Sequence, residues 1–247
     1  MEFFSNLLGV GPIRNRFFWQ STSSGGLGSL CQLALHPVVA SKVCFRYVAG
    51  SMTKLILASQ SPRRLELLKQ ITDQFEVVPS SVEEKLDYGL RPEENARILA
   101  RAKAESVAKN YPDCWVIGAD TLVTLHQEIL GKPVDVPDAE KMLRRLSGKE
   151  HRVVTGICVV SPKKTLDKAI TSKVRFKSLT DEEISSYIQT GEPMDKAGAY
   201  AIQGKGNFMI REFSGSETNI IGLPMDELKI LLGKTGYPLP APQAEKP

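Results

Sequence analysis

The sequence predicts an α/β domain in which helices pack against a sheet. Two patterns carry that prediction. Short aliphatic runs recur along the chain, and stretches with helical start or stop signals alternate with them. The 247 residues suffice for a full core, as one large domain or two small ones. Hydrophobic and charged fractions of 42% and 24% are those of an ordinary soluble globular protein. No internal repeat is evident.

The elements follow in order. Leu55-Ile56-Leu57 reads as a short buried strand, and Ser61 with Pro62 opens a helix through Leu65, Leu67 and Leu68. Phe75–Val78 reads as a second strand and Pro92–Lys109 as a helix opened by proline. Trp115–Ala119 is a short apolar run that ends at Asp120, which the pattern places at the strand's carboxyl end. Asp138–Leu146 reads as a helix stopped by Gly148, and Arg152–Val160 and Lys173–Phe176 as strands. Thr180 and Glu183 form a capping box for a helix through Ile188. A last helix, Met225–Leu232, ends at Gly233.

Both ends differ in composition from this middle. Residues 1–51 are rich in serine, glycine and aromatics, with four basic residues against the single acid Glu2. That composition resembles an organelle transit peptide; a disordered extension, or an upstream start before a compact protein beginning at Met52, are the alternatives. The expected location is therefore cytoplasmic, or plastid or mitochondrial if the segment is a transit peptide. Residues 236–247, with Pro238, Pro240 and Pro242, are expected to form an unstructured tail. The folded domain is expected over 52–235.

The totals exclude several classes. Net charge is +4, and most of it lies before Met52, so the remainder offers no broad nucleic-acid surface. No apolar run is long enough to span a bilayer. Cys31, Cys44, Cys114 and Cys158 are scattered without a C-x-x-C pair, as are His36, His126 and His151. A zinc site or a disulfide framework is not expected, and a reducing compartment fits.

Four segments bear chemistry. Ser59-Gln60-Ser61-Pro62-Arg63-Arg64 joins a strand to a helix N-terminus beside two guanidiniums, a combination that favours an anion; an ordinary helix start with solvated arginines is the alternative. Gly118-Ala119-Asp120-Thr121 delivers a carboxylate from a buried strand, able to hold a hard cation or accept a proton from water, or to serve as a turn aspartate. Lys132, between Gly131 and Pro133, is a compact phosphate clamp or a solvated turn lysine. Asp195 through Gly206 is rich in glycine and alanine, so a ligand can approach its backbone closely. Within it Gln203 offers a planar donor–acceptor pair for a base edge. A plain loop is the other reading.

Two apparent motifs fail on inspection. Gly233-Lys234-Thr235 resembles a P-loop ending, but Leu228 stands where its first glycine belongs. Gly204-Lys205-Gly206 lacks the third glycine of a dinucleotide fingerprint, since Met209 is there. No serine sits in a G-x-S-x-G elbow.

Taken in order, Ser59–Arg64, Gly118–Thr121, Gly131-Lys132-Pro133, Leu146-Ser147-Gly148-Lys149, Asp195–Gly204 and Gly222-Leu223-Pro224 resemble the Maf family of nucleoside triphosphate pyrophosphatases. The resemblance spans about Met52 to Lys234. It implies a mixed sheet flanked by helices, in two lobes around a deep cleft, related to the inosine triphosphate pyrophosphatases. It further implies a homodimer, a nucleotide substrate and a divalent cation, Mg²⁺ or Mn²⁺. By the family's motifs Asp120 is the proton acceptor, with Glu84 beside it near the metal. Ser59, Arg64, Lys103 and Lys132 fall at phosphate-binding positions, and Arg63, Thr121 and Gln203 at positions that set base preference. The Arg-Arg, Asp-Thr and Ile-Gln-Gly combination is that of the branch acting on dTTP and UTP. A nucleotide-binding regulator of septum formation and cell division is the alternative role the family allows.

Overall fold

The computed structural model describes residues 54–239; the extension expected over 1–51 and the tail from 240 onward lie outside them. Seven strands form one sheet: β1 (Leu55–Leu57), β2 (Phe75–Val77), β3 (Trp115–Leu125), β4 (Glu128–Leu130), β5 (Glu150–Val160), β6 (Thr165–Phe176) and β7 (Ile210–Ser214). Their order is β2-β1-β3-β5-β6-β7, with β4 hydrogen-bonded to part of β3. β1 runs parallel to β2 and β3, while the remaining pairs are antiparallel, so the sheet is mixed. Six helices flank it: α1 (Pro62–Lys69), α2 (Pro92–Ala108), α3 (Val136–Leu146), α4 (Asp181–Ile188), α5 (Glu217–Ile221) and α6 (Met225–Thr235).

Strand alternation divides the core between the two faces of the sheet. Leu55, Leu57, Ile117 and Val123 point into the larger cluster with Leu143, Ile184 and Leu228. Ile56 and Val116 point to the other face, against Ala100, Ala104 and Val107 of α2. That helix lies unusually close to the sheet. A Cβ on Gly118 of β3 would stand 2.2 Å from the Ala100 carbonyl oxygen, and one on Gly156 of β5 would stand 2.1 Å from that of Ala96. Both glycines are therefore required by backbone proximity, and the small α2 residues Ala96, Ala100 and Ala104 are the matching half of the contact.

Several elements depart from the sequence reading. β3 does not stop at Ala119 but continues to Leu125, so Asp120 lies within the strand. Its ladder to β1 ends at Ile117 and its ladder to β4 begins at Val123. Between them that edge is open, and Asp120 sits just past the end of the parallel pairing. β6 begins at Thr165, eight residues before the expected Lys173. Its first half carries Asp167 and Lys168 and is only partly buried, so no apolar alternation betrays it; the ladder to β5 holds it. Helix α6 runs on to Thr235 because Gly233 sits inside it with open space around, and Gly236, at φ +84°, ends it. β4, β7 and α5 are short and were not expected.

The chain keeps contact with the core beyond residue 235. Tyr237 is buried edge-on against Trp115, ring centroids 6.0 Å apart, and Leu239 packs against the same core. An aromatic and a leucine on apolar surface hold the chain despite the prolines around them.

Candidate active site

A cleft of about 410 Å³ opens beside the free stretch of β3. Every residue singled out from the sequence lines it: Ser59, Arg63, Arg64, Glu84, Lys103, Asp120, Thr121, Lys132 and Gln203. They come from six separate segments of chain.

Helix α2 presents an apolar stripe of Ala96, Leu99, Ala100, Ala104 and Val107, and Lys103 lies on that stripe. Its burial against the sheet carries the ammonium to Asp120, which points to the α2 face of β3. The Nζ–Oδ1 distance is 2.5 Å, and both residues are less than a tenth exposed. The same ammonium donates to Glu84 Oε1 at 2.6 Å, so two carboxylates converge on one point. Partial burial pushes the Glu84 carboxyl up. The bond and charge of Lys103, with the charges of Lys132 and Arg64, outweigh this and leave it below its ordinary range.

On the opposite face of β3, Arg64 is enclosed by protein acceptors. Its Nε donates to the Gly222 carbonyl at 2.8 Å and Nη1 to the Ala119 carbonyl at 2.9 Å. Nη1 also reaches Ser59 Oγ at 3.3 Å, and Nη2 donates to Thr121 Oγ1 at 3.0 Å. The Ala119 carbonyl belongs to the open edge of β3, so the guanidinium fills the place of a missing strand. Burial lowers the Arg64 pKa, opposed by the charges of Asp120 and Glu84. Thr121 is fixed in turn by Thr155 Oγ1 at 3.0 Å, which is itself bonded to the Asn219 carbonyl.

The expected cap of α1 is not made. Ser61 occupies the cap position, but its hydroxyl bonds no helical N–H; Ser59 Oγ instead accepts from the Ser61 N–H at 3.2 Å. The serine that shapes the turn is the one two residues earlier.

The other wall of the cleft is made of loops. Lys132 is exposed, following β4, and the Gly131 carbonyl there accepts from the Gly198 N–H at 2.9 Å. Gly198 at φ +69° and Ala199 at φ +61° turn the chain sharply, and a Cβ on Gly198 would stand 2.8 Å from Val123. Tyr200 follows, buried against Phe176, its hydroxyl 2.6 Å from His151 Nε2. Burial pushes the His151 pKa down from 6.5 to about 4. Gln203 comes next, exposed at the mouth. Sequence reasoning did not single out Tyr200, His151, Thr155 or Lys196; Tyr200 and Lys196 lie inside the quoted 195–206 segment, whereas His151 and Thr155 carry no local signal.

Five cations, Arg63, Arg64, Lys103, Lys132 and Lys196, line the cleft against three carboxylates, Glu84, Asp120 and Asp195. A mixed α/β sheet with an open edge, a buried Asp–Lys pair and a surplus of cations defines a polyanion-handling cleft. The family model for Maf-like protein matches residues 54–235, and the chain belongs to that family.

Relatives agree over nearly their whole length. The chain is 46% identical over 194 residues to the dTTP/UTP pyrophosphatase of Caldicellulosiruptor saccharolyticus, covering 76% of this chain and 98% of that one. It is 49% identical over 177 residues to that of Geobacter sulfurreducens, covering 71% and 93%. Among solved structures it is similar to the Staphylococcus aureus Ham1 protein, with 18% identity and a TM-score of 0.44 over 74% of this chain and 99% of that one. Among the described residues no helix is long and apolar enough to cross a membrane.

Proposed function

We propose that the chain is a nucleoside triphosphate pyrophosphatase that hydrolyses dTTP and UTP to the nucleoside monophosphate and pyrophosphate. The Asp120–Lys103–Glu84 cluster at the floor of a cation-lined cleft carries this reading. The names of relatives 46–49% identical support the choice of base.

Splitting the anhydride places negative charge on the oxygen that bridges the α- and β-phosphorus, and on the departing pyrophosphate, as water attacks. Positioned cations, which need no reorganisation at that moment, stabilise that charge. Lys132 at the mouth and Lys103 at the floor meet the phosphates from two sides. In the free site Lys103 is held by Asp120 and Glu84. Phosphate oxygens compete for the same ammonium, and its transfer to them releases the Asp120 carboxylate to take a proton from water. As the new bond to phosphorus forms, the bond to the bridging oxygen breaks and pyrophosphate leaves. Arg64, with four hydrogen bonds to protein acceptors out of roughly five available, anchors β3, Ser59 and the Gly222 turn around the phosphates.

The donor set also fits a divalent cation. Two carboxylates that converge on one point are the set Mg²⁺ takes when substrate phosphates and water complete its shell. Asp120 and Glu84 would hold it, and when bound it supplies charge neutralisation to the phosphates.

The test is pyrophosphate release from UTP, dTTP, CTP, GTP and ATP, each with and without Mg²⁺. Turnover of UTP and dTTP above the purine nucleotides is expected. No release from any nucleotide, or a purine preference, would overturn the reading.

A further inference from the structure

Gln203 can select a base only if its backbone is held; the buried Tyr200, Ala201 and Ile202 hold it on one side, while on the other Gly204 and Lys205 are exposed and need an anchor. The chain on either side is a succession of short turns, and Gln203 itself is exposed. The anchor comes from Glu192, eleven residues earlier and outside the motifs that mark the site. Its carboxylate accepts from the backbone N–H of Lys205 at 3.0 Å and of Gly206 at 3.3 Å, the first turn after Gln203. It also accepts from the Tyr187 hydroxyl at 3.1 Å, which ties the turn to helix α4.

Two further features fit the carboxylate to this place. Gly204 stands at φ +86°, and a Cβ there would lie 2.9 Å from Glu192 Oε2, so the close approach depends on glycine. The backbone carbonyl of Glu192 accepts from Lys196 Nζ at 2.8 Å, which joins it to the neighbouring cleft wall. A carboxylate on the free N–H groups of a turn makes charge-assisted hydrogen bonds, stronger than neutral ones and fixed in direction.

We infer that Glu192 is a positioning residue for base selection, setting the place of Gln203 without touching substrate. The inference rests on the function proposed above. Its effect belongs in KM and in the nucleotide profile, because the phosphate-handling groups stand on other elements.

Steady-state pyrophosphate release from UTP, dTTP and GTP separates the possibilities, run on the full chain alongside E192A, E192Q, Q203A, Y187F and the E192A/Q203A double variant. For E192A the KM for UTP should rise about tenfold while kcat changes by less than about threefold, the pattern of lost binding without lost chemistry. Inhibition by inorganic pyrophosphate, which takes only the phosphate half of the cleft, should be unchanged. E192Q keeps one acceptor oxygen but turns its NH2 group towards the other backbone N–H, so it should recover only part of the loss. Y187F, which removes one of three hydrogen bonds to the carboxylate, should raise KM by about threefold. The double variant should be no worse than Q203A, since the two residues act in series.

Multiplying effects in the double variant, an unchanged KM in E192A, or weakened pyrophosphate inhibition would each overturn the inference. If E192A fails to fold, E192Q and Y187F decide the matter. A wild-type chain inert towards UTP would instead sink the proposed function itself, so the two failures are distinguishable.

Discussion

On the sheet side of the cleft, Asp120 and Lys103 are buried, paired at 2.5 Å and carried by an eleven-residue strand and a seventeen-residue helix. On the loop side, Lys132 and Gln203 are exposed and carried by loops, with Gly204 beside Gln203 at φ +86°. The difference follows the work proposed for each wall. A proton acceptor and a phosphate cation need fixed geometry and little water, which packed elements supply. A base reader has to admit a ligand and release it, so it stands on backbone that borrows its order from elsewhere. Gly118 and Gly156 serve the first wall by letting α2 descend onto the sheet. Glu192 and the His151–Tyr200 pair serve the second from behind.

The sharpest way to break this division is Asp120→Asn. Shape and hydrogen-bonding capacity persist while basicity goes, so kcat should fall by about two to four orders of magnitude, the usual worth of a general base. Lys103 keeps Glu84 as its partner, so the melting temperature should move only slightly. A stable variant that retains most of its pyrophosphate release would show that water is activated elsewhere, with Glu84 the next carboxylate to examine.

Gln203→Glu probes the other wall. Loss of the amide donor and the added charge should lower kcat/KM for UTP and dTTP by about one to two orders of magnitude, the scale of a mismatched polar contact. Thermal stability should not change, because the side chain is exposed. An unaltered nucleotide profile would make the loop a structural feature alone.

Arg64→Lys asks whether the guanidinium acts as a strut. A single ammonium cannot reach Gly222, Ala119 and Thr121 together. The loss should be about 2 kcal/mol, a melting temperature lower by roughly 4–8 °C for a chain of this size. Full stability with reduced phosphate affinity would reassign Arg64 as a ligand only.

The smallest effect concerns pH. His151 has a folded pKa of about 4 against an ordinary 6.5, so between those values the unfolded chain binds a proton that the folded chain does not. Stability supplied by neutral His151 is complete above 6.5 and declines as pH falls towards 4. At pH 5.5 the deficit should be about 1 kcal/mol. His151→Gln, which keeps a hydrogen-bonding group for Tyr200, should remove that part of the slope in denaturant titrations across pH 5–7. An unchanged slope would mean the imidazole is not held neutral.

Local chemistry in the sequence was enough for the elements with strong periodicity or caps. Leu55-Ile56-Leu57, the proline-led α2 and the Thr180–Glu183 box stand where their residues put them, because each signal acts within a few neighbours. The early half of β6 and strands β4 and β7 were not legible, since their order comes from ladders to partners far along the chain. The segments themselves drew attention to Ser59, Arg63, Arg64, Asp120, Lys132 and Gln203, and the resemblance to the Maf family added Glu84 and Lys103, while Tyr200, His151, Thr155 and Lys196 were not singled out. Lys103 is a lysine on the apolar stripe of a helix, a position that requires a buried partner.

The sequence by itself determined the chemical inventory: the Asp120 carboxylate, the cations, the glycines and the order of the motifs. Only tertiary structure decided how they meet. The open edge of β3 between its ladders to β1 and β4 makes the cleft, and the Ala–Gly contact of α2 with the sheet sets the Lys103–Asp120 distance. Neither is a local property. Both depend on backbones far apart in sequence approaching within van der Waals reach, where the absence of one strand neighbour or one Cβ decides what can enter.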